Sequence, residues 1–322
     1  MDLIPNFKNF IRKHFPLIAS VIELNRQLRK GCFPIYLDYR LDPKPRYGWG
    51  KPEHKLLHEI LDKNRSRYAS FIEDIRSFGV GLREIPYDKP QHTLTPYWSN
   101  GYVMGIDAIA LYMFPAMLKS QLYIEIGSGN STKFVRKSIK DNLLGTKVVS
   151  IDPYPRAEVD SLCDDCIRHR VEDIDLRIFD ELHSGDILMI DNSHRCFQNS
   201  DVTTVFLDIL PRLNSGVVVY IDDTFIPHDY PPDWASRYYS EQYLLSVLLL
   251  ADARRRYEVL FPAWFCSSDK ELRKVMQDSW RDIGLEERIQ LDGNGLWLRI
   301  NSPPQHLASD GRPVIGQGRI AT

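Results

Sequence analysis

Residues 121–136 read Q-L-Y-I-E-I-G-S-G-N-S-T-K-F-V-R. Leu122–Ile126 is an apolar run of strand length, Gly127 and Gly129 turn the chain, and Asn130–Ile139 has helical spacing. Strand, glycine turn and helix in that order open a βαβ unit. Short apolar runs continue downstream, predicting strands at Lys147–Ile151, Ile167–Val171, Ile187–Ile190, Val217–Ile221, Tyr257–Phe261 and Gly295–Ile300. Helices are expected after Pro155 and at Leu176–Leu182, Asp201–Leu213 and Tyr239–Ala251. A run such as V-V-V-Y-I (217–221) has no polar alternation, so helices must cover both of its faces, as in a parallel sheet. The fold class is therefore α/β, a doubly wound sheet.

Upstream of this pattern, residues 1–95 read as a helical and irregular cap. Helices at Lys8–Leu28 and His54–Phe78 flank a connector rich in proline and aromatics, residues 32–52, whose composition resists regular structure. Tyr39 and Trp49 of this connector are candidates to line a substrate cleft. The sheet domain is expected over 96–300 and a mobile tail over 301–322.

The whole chain has 322 residues, 43% hydrophobic and 26% charged, which excludes global disorder and supplies a core. Lys plus Arg is 41 against 43 Asp plus Glu, a net charge of −2, so neither nucleic acid nor an anionic membrane is the expected partner. A small-molecule substrate is. Five cysteines are too few for a disulfide scaffold and suit a reducing compartment. The first residues are broken by Pro5, Lys8, Arg12 and Lys13, unlike a secretory leader. The longest apolar stretch, Tyr243–Ala251, falls well short of the roughly 20 residues that span a bilayer. The expected location is cytoplasmic.

In a doubly wound sheet, ligands sit at the carboxyl ends of the strands. Gly127 and Gly129 allow a ligand close to the backbone, and exposed amides at the helix start favour negative groups. V-V-S-I-D-P-Y-P (148–155) places Asp152 at the end of the next strand, where a carboxylate takes ribose hydroxyls; a helix cap is the alternative. In R-V-E-D-I (170–174), Glu172 or Asp173 would accept from an adenine amine. A dinucleotide fingerprint wants a third glycine where Thr132 stands. Glu125, inside the last turn of the strand, disfavours a diphosphate and suits a cationic ligand. S-adenosylmethionine, with a sulfonium and an ammonium, fits that charge better than NAD.

Y-I-E-I-G-S-G-N-S-T, V-V-S-I-D-P-Y, L-M-I-D-N-S-H (188–194) and V-V-V-Y-I-D-D-T-F-I-P-H-D-Y-P (217–231), in this order, resemble class I S-adenosylmethionine-dependent methyltransferases. The resemblance covers about residues 96–300 and is strongest to a subgroup related to macrolide sugar O-methyltransferases and cephalosporin hydroxylase-like proteins. It implies that Glu125, Gly127, Ser128 and Gly129 hold the methionine end, Asp152 the ribose, and Glu172 or Asp173 the adenine. It also implies a Rossmann-like seven-stranded sheet with its last strand antiparallel. Before residue 96 little is similar; Y-W-S-N-G-Y (97–102) is the first matching segment.

Asp191 ends the fourth strand, and Asp222 and Asp223 end the fifth. Neighbouring parallel strands lie about 4.8 Å apart, so three carboxylates there repel unless a cation sits among them. Mg²⁺ is the expected occupant, able to orient a substrate hydroxyl and lower its pKa; alternatively one aspartate contacts the cofactor or caps a helix. His194, in D-N-S-H, is the candidate general base beside Asp191. His228 lies on the loop past the fifth strand and is a weaker substrate-facing candidate. C-D-D-C (163–166) has half the spacing of a zinc site but no second pair nearby, and S-E-Q-Y-L-L-S-V-L-L-L-A (240–251) reads as buried core. The expected function is methyl transfer from S-adenosylmethionine to a small-molecule hydroxyl, of a sugar or secondary metabolite. Its rivals are an NAD-linked oxidoreductase on the same sheet and a catalytically silent cofactor-binding protein.

Overall fold

The structure, a computed structural model, describes residues 16–29, 38–155, 158–252 and 255–301. The chain divides into two compact units, Met1–Pro43 and Lys44–Thr322. In the first, helix α1 spans Pro16–Arg29; the part of the predicted Lys8–Leu28 helix before Pro16 lies outside the described residues, as does all of the predicted tail except Asn301.

The second unit holds a seven-stranded sheet of β1 (Leu122–Ile126), β2 (Lys147–Ile151), β3 (Asp165–Ile167), β4 (Ile187–Ile190), β5 (Val218–Ile221), β6 (Tyr257–Pro262) and β7 (Leu296–Ile300). Its order is β3-β2-β1-β4-β5-β7-β6, with β1 to β5 parallel and β7 antiparallel to both β5 and β6. The strand order reverses between β1 and β4, and a ligand site belongs at the carboxyl ends beside that switch. Register pairs Glu125 with Ser150 and Met189, and Ile126 with Ile151 and Ile190. The next residues, Gly127, Asp152 and Asp191, therefore emerge side by side.

The helices described in the second unit are α2 (Lys55–Asp62), α3 (Arg65–Asp74), α4 (Gly79–Arg83), α5 (Gly105–Leu118), α6 (Asn130–Asp141), α7 (Asp201–Thr204), α8 (Glu241–Ala251), α9 (Ala263–Ser268) and α10 (Lys270–Asp282). The single helix expected at His54–Phe78 is broken at Lys63–Asn64, and Asn64 turns its Nδ2 to the carbonyl of Val259 at 3.2 Å. The stretch expected as helix Asp201–Leu213 begins as α7 and continues as a π turn at Val205–Ile209 and a 3-10 turn at Leu210–Arg212. Pro211, which cannot donate to the helical ladder, stands inside that last turn. The third strand lies slightly earlier than expected, and Val171–Asp173 is a 3-10 turn.

The cap expected over residues 1–95 spans both compact units, which divide between Pro43 and Lys44. Within the second unit, Leu61, Tyr68, Ile72, Ile75 and Leu82 are inaccessible and belong to the same apolar cluster as the sheet. Helix α5, absent from the sequence reading, is buried from Ile106 through Pro115. Its Phe114 stacks on Trp297 of β7 at 3.9 Å and on Phe71 of α3 at 4.8 Å, joining the early helices to the sheet. Helix α8 departs from the expected all-round burial: Leu245 and Leu249 face the core, while Tyr243, Val247 and Leu250 are exposed. No helix among the described residues is long and apolar enough to cross a membrane.

Candidate functional site

The turn after β1 is built by three side chains that reach back to it. Gly127 adopts φ +86°, which side-chain-bearing residues rarely tolerate. A Cβ there would also stand 1.8 Å from the carbonyl oxygen of Asp191. The glycine thus lets the ends of β1 and β4 close on one another. At Gly129 a Cβ would meet nothing within 4 Å, so this position opens onto free space. Asp152 receives the Ser128 amide on Oδ2 (2.9 Å) and the Tyr154 amide on Oδ1 (2.8 Å). Each carboxylate oxygen can accept two hydrogen bonds and here takes one, which leaves one lone pair on each for further donors. Behind the turn, the Ser128 and Ser150 hydroxyls are 2.6 Å apart, and Arg168 donates to Ser150 Oγ and to the Asp152 carbonyl at 3.0 and 3.1 Å.

Thr132, read in the sequence as the missing third glycine, has a positive task. Its hydroxyl donates to Glu125 Oε1 at 2.7 Å and accepts the Gly129 amide at 3.2 Å. Glu125 is fully buried, and its second oxygen, Oε2, has no hydrogen-bond partner. Burial pushes its carboxyl up to about 7, against the opposing hydrogen bond of Thr132. A buried, unpartnered carboxylate oxygen behind an open glycine turn fits a cationic ligand group, the ammonium of S-adenosylmethionine.

The two adenine candidates differ. Asp173 is taken by Arg170, whose Nε donates at 2.8 Å. Glu172 is more enclosed, 9% exposed at its side chain, with Arg170 at 3.7 Å, and burial raises its carboxyl above the ordinary range.

At the ends of β4 and β5 the structure brings His194 into contact with two of the three aspartates. His194 is 2% exposed; its Nε2 lies 3.3 Å from both Asp191 Oδ1 and Asp223 Oδ2. Burial pulls the imidazole down, but hydrogen bonds with Asp191 and Glu241 and the charges of Glu241 and Asp223 hold it well above its ordinary value. Asp222 instead takes the Tyr220 hydroxyl at 2.8 Å; burial, then the charges of Asp191 and Asp223, push it well above the carboxylate range. Asn294 donates to Asp223 Oδ1 at 2.9 Å, and its own amide and that of Gly295 donate to buried Asp107.

This geometry bears on the Mg²⁺ expected at Asp191, Asp222 and Asp223. Among the described residues, no three His, Cys, Asp or Glu side chains are arranged to hold a metal ion. The imidazole fills the position between Asp191 and Asp223, and Asp222 is turned to Tyr220. As placed, the set does not fit a divalent cation; the positive group among the carboxylates is His194.

Sequence reasoning missed Glu241, the first residue of α8. It is fully buried, with Oε2 2.9 Å from His194 Nδ1 and Oε1 accepting from Asn192 Nδ2 at 3.0 Å. Forty-seven residues separate it from His194, and no spacing rule links them. His228 is held elsewhere: its Nδ1 accepts from Trp264 Nε1 at 3.1 Å, and Trp49 packs across it. Burial lowers its pKa. Together with Glu53 and His58 it lines two adjoining cavities of about 560 and 420 Å³, whose walls include no residue of the glycine turn or the acidic set. Tyr39 belongs to the first unit and is exposed. Cys163 and Cys166 are free thiols, directed at the carbonyls of Val159 and Asp160.

Residues 124–224 match the family described as a methyltransferase domain. No curated protein sequence matches the chain. Solved structures that are similar include an S-adenosylhomocysteine-bound methyltransferase of Podospora anserina (16% identity over 47% of this chain and 71% of that one, TM-score 0.34). The O-methyltransferase TomG of Streptomyces achromogenes, in complex with S-adenosylmethionine, is 13% identical over 61% and 79%, with a TM-score of 0.30. An O-methyltransferase of Bacillus cereus with S-adenosylhomocysteine is 12% identical over 77% and 96%, with a TM-score of 0.31. Likeness at these levels is coarse; the family match spans β1 to the end of β5, the strands whose ends build the site. Residues 124–224 of this chain thus carry a methyltransferase domain.

Proposed function

We propose that this methyltransferase acts on a hydroxyl of a small molecule, a sugar or secondary metabolite, with Glu125, Gly127, Ser128 and Gly129 at the methionine end of S-adenosylmethionine. Asp152, already fixed by two amides, offers its free lone pairs to the ribose hydroxyls. Of the adenine candidates, Glu172 is favoured, because Asp173 is committed to Arg170.

When bound, S-adenosylmethionine supplies a methyl group on sulfonium that an acceptor oxygen takes in line, with positioning as the main source of rate. His194 removes the acceptor's proton at Nε2, and Asp191 holds that face of the ring. With the ring charged, Nε2 has no lone pair, so turnover should rise as pH rises through the elevated pKa of His194.

The observation that carries this reading is the junction at Gly127. The glycine turn and the Asp191–His194 segment are in backbone contact there, so a cofactor on the first lies beside a proton acceptor on the second. Incubation with methyl-labelled S-adenosylmethionine and panels of sugar and phenolic alcohols, amines and carboxylic acids tests it. Label should enter hydroxyl acceptors and be lost in His194→Gln; label confined to amines or carboxylates would refute it.

A further inference from the structure

Four contacts tie His194 to the start of α8. The amides of Ser240 and Glu241 donate to the His194 carbonyl at 2.8 and 3.2 Å, Glu241 Oε2 meets Nδ1 at 2.9 Å, and Tyr239 packs on the ring at 4.7 Å. His194 adopts φ +58°, a left-handed conformation uncommon for residues other than glycine, and its surroundings hold it there. The Glu241 carboxylate is itself held, because Asn192 Nδ2 occupies its other oxygen at 3.0 Å. The charged Glu241 carboxylate accepts from the ring, so Nδ1 carries hydrogen in this bond. Nε2 lies farther from its carboxylates, 3.3 Å from Asp191 and from Asp223 against 2.9 Å for Nδ1, so it is the nitrogen that gives up its proton first.

We propose that Glu241 is the positioning residue of the site: it fixes the His194 ring as the Nδ1–H form and aims Nε2 at the acceptor. The role rests on His194 as the base. It touches neither acceptor nor cofactor and acts through the imidazole alone. This role also explains why a buried acid stands on a helix whose later inward residues are Leu245 and Leu249: without it, the ring could flip or hold its proton on Nε2.

The test is nitrogen-15 NMR of histidine-labelled protein with bound S-adenosylhomocysteine, the His194 signals being identified by their loss in His194→Gln. At alkaline pH the neutral wild-type ring should show a protonated Nδ1 and a bare Nε2. In Glu241→Gln, an isosteric change that removes the charge, the ring should shift to a mixture of both forms. S-adenosylhomocysteine affinity should stay within about twofold, and kcat on a hydroxyl acceptor should fall on the order of tenfold at unchanged KM for S-adenosylmethionine. A wild-type ring protonated on Nε2, or a Glu241→Gln ring identical to wild type, would overturn the proposal. The wild-type spectrum decides even if the variant does not fold. If the ring is the Nδ1–H form but His194→Gln keeps full turnover, the base assignment fails and not the orientation.

Discussion

Glu125 combines full burial, an unpartnered oxygen and a carboxyl raised to about 7. In the unfolded chain such a group loses its proton near pH 4.3. The folded protein thus binds more protons than the unfolded one between those values. The associated stability is complete below about pH 4 and is lost as pH rises through about 7. Glu125→Gln should flatten the fall of Tm between about pH 5 and pH 8; a residual slope should persist from Asp107, also raised to about 7 by burial. An ammonium placed beside Glu125 favours its ionised form, so S-adenosylmethionine binding at pH 6 should release protons. Calorimetry in two buffers of different ionisation enthalpy measures that release, and Glu125→Gln should abolish it while weakening affinity. Unchanged affinity and unchanged release in the variant would remove Glu125 from the cofactor site.

Within the β1–α6 turn, the two glycines make opposite predictions. Gly127→Ala drives a Cβ against the Asp191 carbonyl at a positive φ and should cost at least about 2 kcal/mol of stability. Gly129→Ala finds open space and should leave Tm within about 1 °C of wild type while reducing S-adenosylhomocysteine affinity, if that space is where the ligand lies. Thermal melts with and without ligand separate the two. Asp152→Ala should cost on the order of 1.5–3 kcal/mol of cofactor affinity, the range for hydrogen bonds to a charged group. The turn itself was legible in sequence, because a strand run, two glycines and a helical stretch are local features. The meaning of Thr132 was not: its hydroxyl works through Glu125, seven residues away, and only the fold brings them together. For the same reason the aspartates were found at their strand ends, but their orientation, with Asp222 turned to Tyr220 and His194 set between the other two, was beyond any pattern of spacing.

Across the whole molecule, six of the seven strands were legible almost to the residue, since continuous apolar runs between turns have one reading in a covered parallel sheet. Helix α5 escaped because burial on nearly every face erases the periodicity by which a helix is recognised. Phe114 tests the packing of the early helices on the sheet. Stacked between Phe71 and Trp297, it should cost about 3–5 kcal/mol when changed to alanine. Chemical denaturation followed by fluorescence and far-ultraviolet circular dichroism should shift as one transition; a separate early phase would mean that the early helices unfold by themselves.

The measurement that bears most directly on the account is isothermal titration calorimetry of the protein with S-adenosylmethionine, S-adenosylhomocysteine and NAD in parallel, repeated on Gly129→Ala. The account predicts saturable binding of the first two, none of NAD, and a loss of binding in a variant that stays folded. Saturable binding of NAD with none of S-adenosylhomocysteine would contradict it.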